Sequence, residues 1–289
     1  MSQPLRTATV LLVVSLLLIA APKDHFFNSN GVRIRYIDQG AGEPVVLIPG
    51  FTATIEMNWI DTGAVRELSK NHRVIAFDCR GHGRSGKPHD PNQYGRQMAM
   101  DAFRLMDYLH IPRAHIVGYS MGGSLVAQLL CIDPTRFITA TLGGFAPTLQ
   151  PPPAQNPREA WATEIERGDF RSLALAIAAP DRPKPTEEQL HQWSAARRIG
   201  NDVLALAAVL RAPPGPALDQ NGAAALRIPL LGVDGTDDRA LEGLKAVKPA
   251  IPQLEIVAIQ GADHMETFSR PEFVQALVKF INAHHAVGH

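Results

Sequence analysis

Net charge is what this 289-residue chain most plainly lacks: Lys and Arg total 28, and Asp and Glu total 28. No field of one sign exists to draw it onto nucleic acid or an anionic membrane surface, so the expected partner is a small, mainly apolar molecule. Cysteine is scarce as well. Cys79 and Cys131 are too few for a disulfide framework. Their expected places, one ending a strand and the other roughly 16 Å down a helix axis, keep them apart as free thiols. Internal repeats are absent, and His284, His285 and His289 make too sparse and too terminal a tail to predict a metal site. Hydrophobic residues make up 45% of the chain, enough to exclude disorder and to fill the core of one large α/β domain or two small ones.

An uncharged run dense in Leu, Val and Ala extends from Thr7 to Pro22, following Arg6 and preceding Lys23 and Asp24. As a helix it reaches about 24 Å, short of the ~30 Å of bilayer hydrocarbon, which predicts an export signal rather than a stable membrane span. Residues 1–24 are therefore read as a signal peptide or N-terminal anchor, and the protein as exported, secreted or periplasmic. Ile19-Ala20-Ala21 approximates a cleavage site, but Pro22 follows at once, so membrane attachment through an uncleaved segment stays open. An apolar helix packed on the core is the other reading.

Beyond it, short β-branched runs alternate with helix-like segments: Val32 to Tyr36, Val45 to Ile48, Arg73 to Phe77, His115 to Tyr119, Ile138 to Leu142, Leu230 to Val233 and Leu254 to Ile259. Strands apolar on both faces predict a mostly parallel sheet covered by helices on both sides, an α/β fold. Helices are expected near Asp61 to Lys70, Gly95 to Leu109, Met121 to Ile132 and Pro271 to Ala283, the last with Ser269 as N-cap. From Phe145 to Leu226 no strand signal occurs. Proline clusters there punctuate Ala-rich stretches that predict helices at Arg158 to Arg167, Phe170 to Ala179, Glu187 to Arg198 and Asp202 to Arg211. Thr186 and Gln189 have the spacing of a capping box before the third. The expected organisation is a core in two parts, 25–144 and 227–289, with a helical cap inserted at 145–226.

Gly118-Tyr119-Ser120-Met121-Gly122 lies between an apolar strand-like run and an apolar helix-like run, the context of a G-x-S-x-G elbow that lifts a serine hydroxyl clear of a sheet. Alone the pentapeptide also fits a chance turn. Acyl transfer by serine further needs a base, an acid that orients the base, and donors for the developing oxyanion. Gly235-Thr236-Asp237-Asp238 and Gly261-Ala262-Asp263-His264 each follow a strand-like run. Carboxyl ends of parallel strands meet at one edge, so these loops are expected to converge on Ser120.

With Ile48-Pro49-Gly50-Phe51 and Asp78-Cys79-Arg80-Gly81-His82-Gly83-Arg84-Ser85, these motifs resemble the α/β-hydrolase fold superfamily, in its cap-bearing serine esterase and C–C hydrolase-like branch, from about Asn28 to Ala283. The resemblance implies Ser120 as nucleophile, His264 as base and then acid, Asp238 as orienting carboxylate, and the amides of Phe51 and Met121 as oxyanion donors. Asp237 and Asp234 stand as alternatives to Asp238. The family usually has histidine where Pro49 stands. No metal or organic cofactor is implied. Serine at the elbow argues against the dehalogenase and epoxide hydrolase branches, and the missing His-Gly-Gly-Gly argues against one lipase group. Met265 replaces the aromatic that often follows the histidine in C–C hydrolases. Trp59 and Met265 are expected at the substrate, and Trp161 and Trp193 are candidates from the cap, all against the plainer reading that they pack cap on core. His82 is read as part of a glycine-rich turn, His115 as structural, and His25, His72, His89, His110 and His191 as surface or loop positions. The expected function is cleavage of a carboxylic ester through an acyl-enzyme. The alternatives are a C–C hydrolase, perhydrolase, dioxygenase or lyase with the same triad, and a non-catalytic binding protein of the same fold.

Overall fold

The protein was analysed as a computed structural model that describes residues 22–149 and 157–286. The expected signal segment, apart from residues 22–24, and the Pro151-Pro152-Pro153 cluster lie outside the described residues. Among the described residues no helix is long and apolar enough to cross a membrane.

Eight strands form one sheet: β1 (His25–Ser29), β2 (Val32–Gln39), β3 (Pro44–Ile48), β4 (Arg73–Phe77), β5 (Ala114–Tyr119), β6 (Phe137–Gly143), β7 (Leu230–Gly235) and β8 (Leu254–Ile259). Their spatial order is β1-β2-β4-β3-β5-β6-β7-β8. Pairing is antiparallel for β1 with β2 and β2 with β4, and parallel from β4 through β8. Every residue of β5 and β6 is buried, as strands covered on both faces require. β1 has no counterpart among the expected strands. Asn30 and Gly31, both at positive φ, form its two-residue turn into β2, and that Asn-Gly pair is a hairpin signal legible in the sequence.

The helices are α1 (Ala64–Leu68), α2 (Arg96–Tyr108), α3 (Met121–Ile132), α4 (Arg158–Glu166), α5 (Arg171–Ile177), α6 (Glu187–Arg198), α7 (Val203–Arg211), α8 (Gln220–Ala225), α9 (Arg239–Val247) and α10 (Pro271–Asn282). One face of the sheet packs on α2, α3 and α9, through residues such as Phe103, Leu129 and Leu244. The other packs on α1 and α10, through Leu68, Phe273, Leu277 and Ile281. Helices α4 to α8 all lie between β6 and β7. The capping box opening α6 forms as read, Thr186 accepting from the Gln189 amide and Gln189 from the Thr186 amide.

Three readings are corrected. Ser269 does not cap α10, because its hydroxyl donates to the Glu266 carbonyl and Arg270 occupies the cap without a side-chain bond. His72 stands at a loop position before β4, one of the two places read for it, but its ring is buried rather than at the surface. Helix α9 was not expected, although Asp238 followed by Leu241, Leu244 and Val247 on one face is an N-cap and an amphipathic repeat.

Candidate active site

The turn from β5 into α3 holds Ser120 at φ 54° and ψ −112°, a conformation that a non-glycine residue adopts only where its surroundings enforce it. Two glycines make room for it. A Cβ on Gly118 would meet the Gly122 carbonyl oxygen at 2.1 Å, and one on Gly122 would meet the Ile48 carbonyl oxygen at 2.1 Å. Strand β3, the elbow and α3 therefore touch backbone to backbone, which brings the loop after β3 beside the Ser120 side chain.

Ser120 Oγ lies 2.9 Å from His264 Nε2, and His264 Nδ1 lies 2.7 Å from Asp238 Oδ2. The three residues come from the ends of β5, β8 and β7, more than 100 positions apart at the extremes and adjacent in space because the strands are parallel neighbours. Asp238 works at two places: its Oδ1 also accepts the Ala240 amide at 3.0 Å and so caps α9. Burial pushes its carboxyl up, but the hydrogen bond and charge of His264 outweigh that and leave it below the ordinary carboxylate range. Tyr119, the second residue of the pentapeptide, donates from its hydroxyl to the His264 carbonyl at 2.5 Å and packs against the imidazole.

The other two aspartates are occupied differently. Asp237 Oδ2 accepts from Arg182 Nε at 2.9 Å, and the same guanidinium reaches Asp263, Glu266 and the Gly261 carbonyl, tying the segment after α5 to both loops of the site. Asp234 is fully buried beside Asp238. Burial first, then the Asp238 charge and contact with that carboxylate, push Asp234 up to about 9, so it keeps its proton at neutral pH. Between the ordinary carboxylate value and about 9 the folded protein holds this proton and the unfolded chain releases it. Stability therefore falls as pH rises through that window. Asp234→Asn, which mimics the protonated acid, is expected to raise the melting temperature more at pH 8 than at pH 5. Its advantage should grow by about 1 kcal/mol per pH unit. Melts at the two pH values check this, and an equal or shrinking gap would contradict a buried neutral acid.

Among the described residues the amides of Phe51 and Met121 are committed to no backbone or side-chain acceptor, which leaves both free beside Ser120. The loop carrying Phe51 is held by Asn58, whose Oδ1 accepts the Gly50 amide at 2.8 Å. Asn58 sits in a π-helical turn, Glu56–Ile60, in which Asn58 reaches the loop and Trp59 enters the core. No pattern in the sequence marks Asn58. Trp59 is thereby corrected: it is fully buried and stacks on Phe273 beneath the sheet, with no face toward the site.

Above Ser120 and His264 lies a cleft that is partly open to solvent. Phe51, Met265 and Phe268 from the core, with Leu173, Ile177 and Trp193 from α5 and α6, supply its apolar walls. Met265 is thus at the cleft, as expected, while Trp161 is not among its lining residues. Arg197 also faces the cleft, its guanidinium 4.8 Å from the Trp193 ring and paired with no carboxylate among the described residues. His82 is buried, with Nδ1 on the Arg80 carbonyl; burial drives its pKa down to about 4, which fits the structural turn read from the sequence. Cys79 and Cys131 are both free thiols.

A parallel sheet with a serine elbow, and a histidine and an acid on the loops after its later strands, defines a hydrolase of the α/β type. The chain belongs to the α/β-hydrolase fold family, which matches its residues 43–271. Its relatives include a 2-hydroxymuconate semialdehyde hydrolase of Pseudomonas, 39% identical over 121 residues, which are 40% of this chain and 41% of that protein. A non-heme haloperoxidase of Rhodococcus erythropolis is 34% identical over 151 residues, 51% of this chain and 52% of that one. The matches span between 30% and 52% of the curated relatives' own length. The enol-lactonase of Burkholderia xenovorans superposes with a TM-score of 0.72 at 26% identity, over 89% of this chain and all of that one.

Proposed function

We propose that the protein is a serine hydrolase of small carboxylic esters, lactones included, working through an acyl-enzyme on Ser120. The observation that carries this is the continuous relay Ser120 Oγ to His264 Nε2 to Asp238 Oδ2, at 2.9 and 2.7 Å, at the floor of an apolar cleft. In this reading His264 takes the Ser120 proton as Oγ attacks the ester carbonyl carbon. The resulting oxyanion rests on the Phe51 and Met121 amides, each worth about 10²–10³ in turnover. His264 then returns the proton to the departing alkoxide, and the C–O bond breaks. A water that gives its proton to the same imidazole attacks the acyl carbon and frees Ser120. Ionised Asp238 holds the imidazole with Nδ1–H inward, leaving Nε2 to accept. The helices between β6 and β7 act as a cap that chooses the acyl group. Two neighbours at 26% identity, the enol-lactonase and an N-acyl homoserine lactone degrading enzyme, support a cyclic ester among the substrates. Arg197, paired with no carboxylate among the described residues and over Trp193, favours an acyl group that carries a carboxylate or another strong acceptor.

A fluorophosphonate probe is expected to label the wild type and leave Ser120→Ala unlabelled. A panel of p-nitrophenyl esters, graded in acyl length and including half-esters of dicarboxylic acids, should then give turnover that Ser120→Ala lacks. Equal labelling of the two proteins would refute the nucleophile assignment. Labelling without turnover on any ester would move the reaction to the C–C bond or perhydrolysis alternatives.

A further inference from the structure

The opposite edge of the sheet carries a second group of chemically able residues that the proposed reaction leaves unused. Glu43 precedes β3, His72 precedes β4, and His115 is the second residue of β5, so all three stand at the amino ends of three adjacent parallel strands. Ser120 is five residues further along the chain from His115, about 16 Å away at strand rise. One donor atom from each of Glu43, His72 and His115 lies within 4.8 Å of the others. A fourth comes from the chain terminus. His285 Nδ1 is 2.8 Å from Glu43 Oε2, and the Ala286 amide donates to Glu43 Oε1 at 2.7 Å.

The orientation of His115 is the telling feature. Its Nδ1 is engaged by Thr139 Oγ1 at 2.9 Å, while its Nε2 is sealed from solvent, makes no hydrogen bond, and faces Glu43 Oε2 at 3.9 Å. That gap is too long for a hydrogen bond. With Nδ1–H donating to Thr139, the Nε2 lone pair points at the Glu43 carboxylate, an arrangement that a cation between them would satisfy. An outer hydroxyl on Nδ1 is also what fixes a metal-binding imidazole in its ligating tautomer.

We propose that Glu43, His72 and His115, with His285 as the fourth donor, form a zinc site at the base of the sheet. Three imidazoles and one carboxylate suit a borderline transition ion and fit calcium or magnesium poorly. Tetrahedral zinc with bonds near 2.0–2.2 Å sets its donors about 3.4 Å apart, so the side chains close by about an ångström, within reach of rotations at Glu43 and the terminal His285. Glu43 and His285 are partly exposed and provide the entry path. With four donors from the protein, the ion has no open position. Its role is structural: it clips the segment after α10 to the feet of β3, β4 and β5, remote from the cleft.

The test uses the full-length protein made without a histidine tag and dialysed against chelator. Titration with zinc chloride is expected to show one equivalent bound, and zinc at a hundredfold excess over Kd should raise the melting temperature by about 5 °C. Cobalt should give the intense visible bands of four-coordinate ligation. His72→Gln and Glu43→Gln, which keep a polar side chain at each position, should each weaken zinc binding at least about 100-fold, and His285→Ala should weaken it less. Ester turnover should be the same with and without zinc. A wild type that binds no zinc, or variants that bind it as tightly as wild type, would overturn the site. Because the readout is binding and melting, the outcome is independent of whether the ester reading is correct.

Discussion

Asp238→Asn is expected to lower kcat/KM on the best ester by about 10³–10⁴ while leaving the melting temperature close to that of the wild type, whereas Asp237→Asn should cost less than about tenfold. The difference follows from what each carboxylate touches. Asp238 Oδ2 receives His264 Nδ1, and an asparagine there either presents its amide N–H₂ to that nitrogen or turns the imidazole into the tautomer that cannot accept the Ser120 proton. Its other atom keeps the bond to the Ala240 amide, so α9 stays capped and the fold is retained. Asp237 is spent on Arg182 and on the Thr236 hydroxyl, so its loss loosens one strand of the Arg182 web. Exposed pairs of that kind contribute about 0–1 kcal/mol. Steady-state kinetics with thermal melts on the two variants decide the matter, and the reverse ranking would transfer the acid's role to Asp237.

Gly122→Ala should destabilise the fold by about 3–5 kcal/mol, which corresponds to a fall of roughly 10 °C or more in melting temperature. The added methyl carbon would stand 2.1 Å from the Ile48 carbonyl oxygen and 2.9 Å from that of Pro49, both backbone atoms of β3 and the loop after it. No side-chain rotation relieves such a contact, so α3 must withdraw from the sheet. The same withdrawal separates the Phe51 amide from Ser120, and activity should fall further than the unfolded fraction accounts for. Thermal melts alongside activity measured well below the transition test both parts. A variant with wild-type stability would show that the elbow is less tightly held than the backbone contacts require.

Much of the fold was legible because its strands are buried on both faces and read as apolar runs with sharp ends. Arg73–Phe77 and Leu254–Ile259 were anticipated to the residue, as was Met121–Ile132. The elements missed, β1, α8 and α9, carried ordinary local signals, the Asn30-Gly31 turn and the Asp219 and Asp238 caps. At the site, Ser120, His264 and the aspartate cluster were visible because each lies in a glycine-bearing turn after a strand. Asn58 and Tyr119 were not. Their roles depend on where a single side chain points: in the turn Glu56–Ile60, Trp59 enters the core while Asn58 reaches the loop.

The sequence by itself determined the sheet, the elbow and the residue types of the reaction, because strand periodicity and glycine turns are local properties of the chain. Only the tertiary structure distinguishes the surroundings of Asp234, Asp237 and Asp238. These residues lie within five positions of one another, and what separates them is burial, the reach of Arg182 from another part of the chain, and the approach of His264 from the end of β8. The grouping of Glu43, His72, His115 and His285 likewise exists only in three dimensions, since parallel strands gather at one edge residues that the sequence scatters across more than 240 positions.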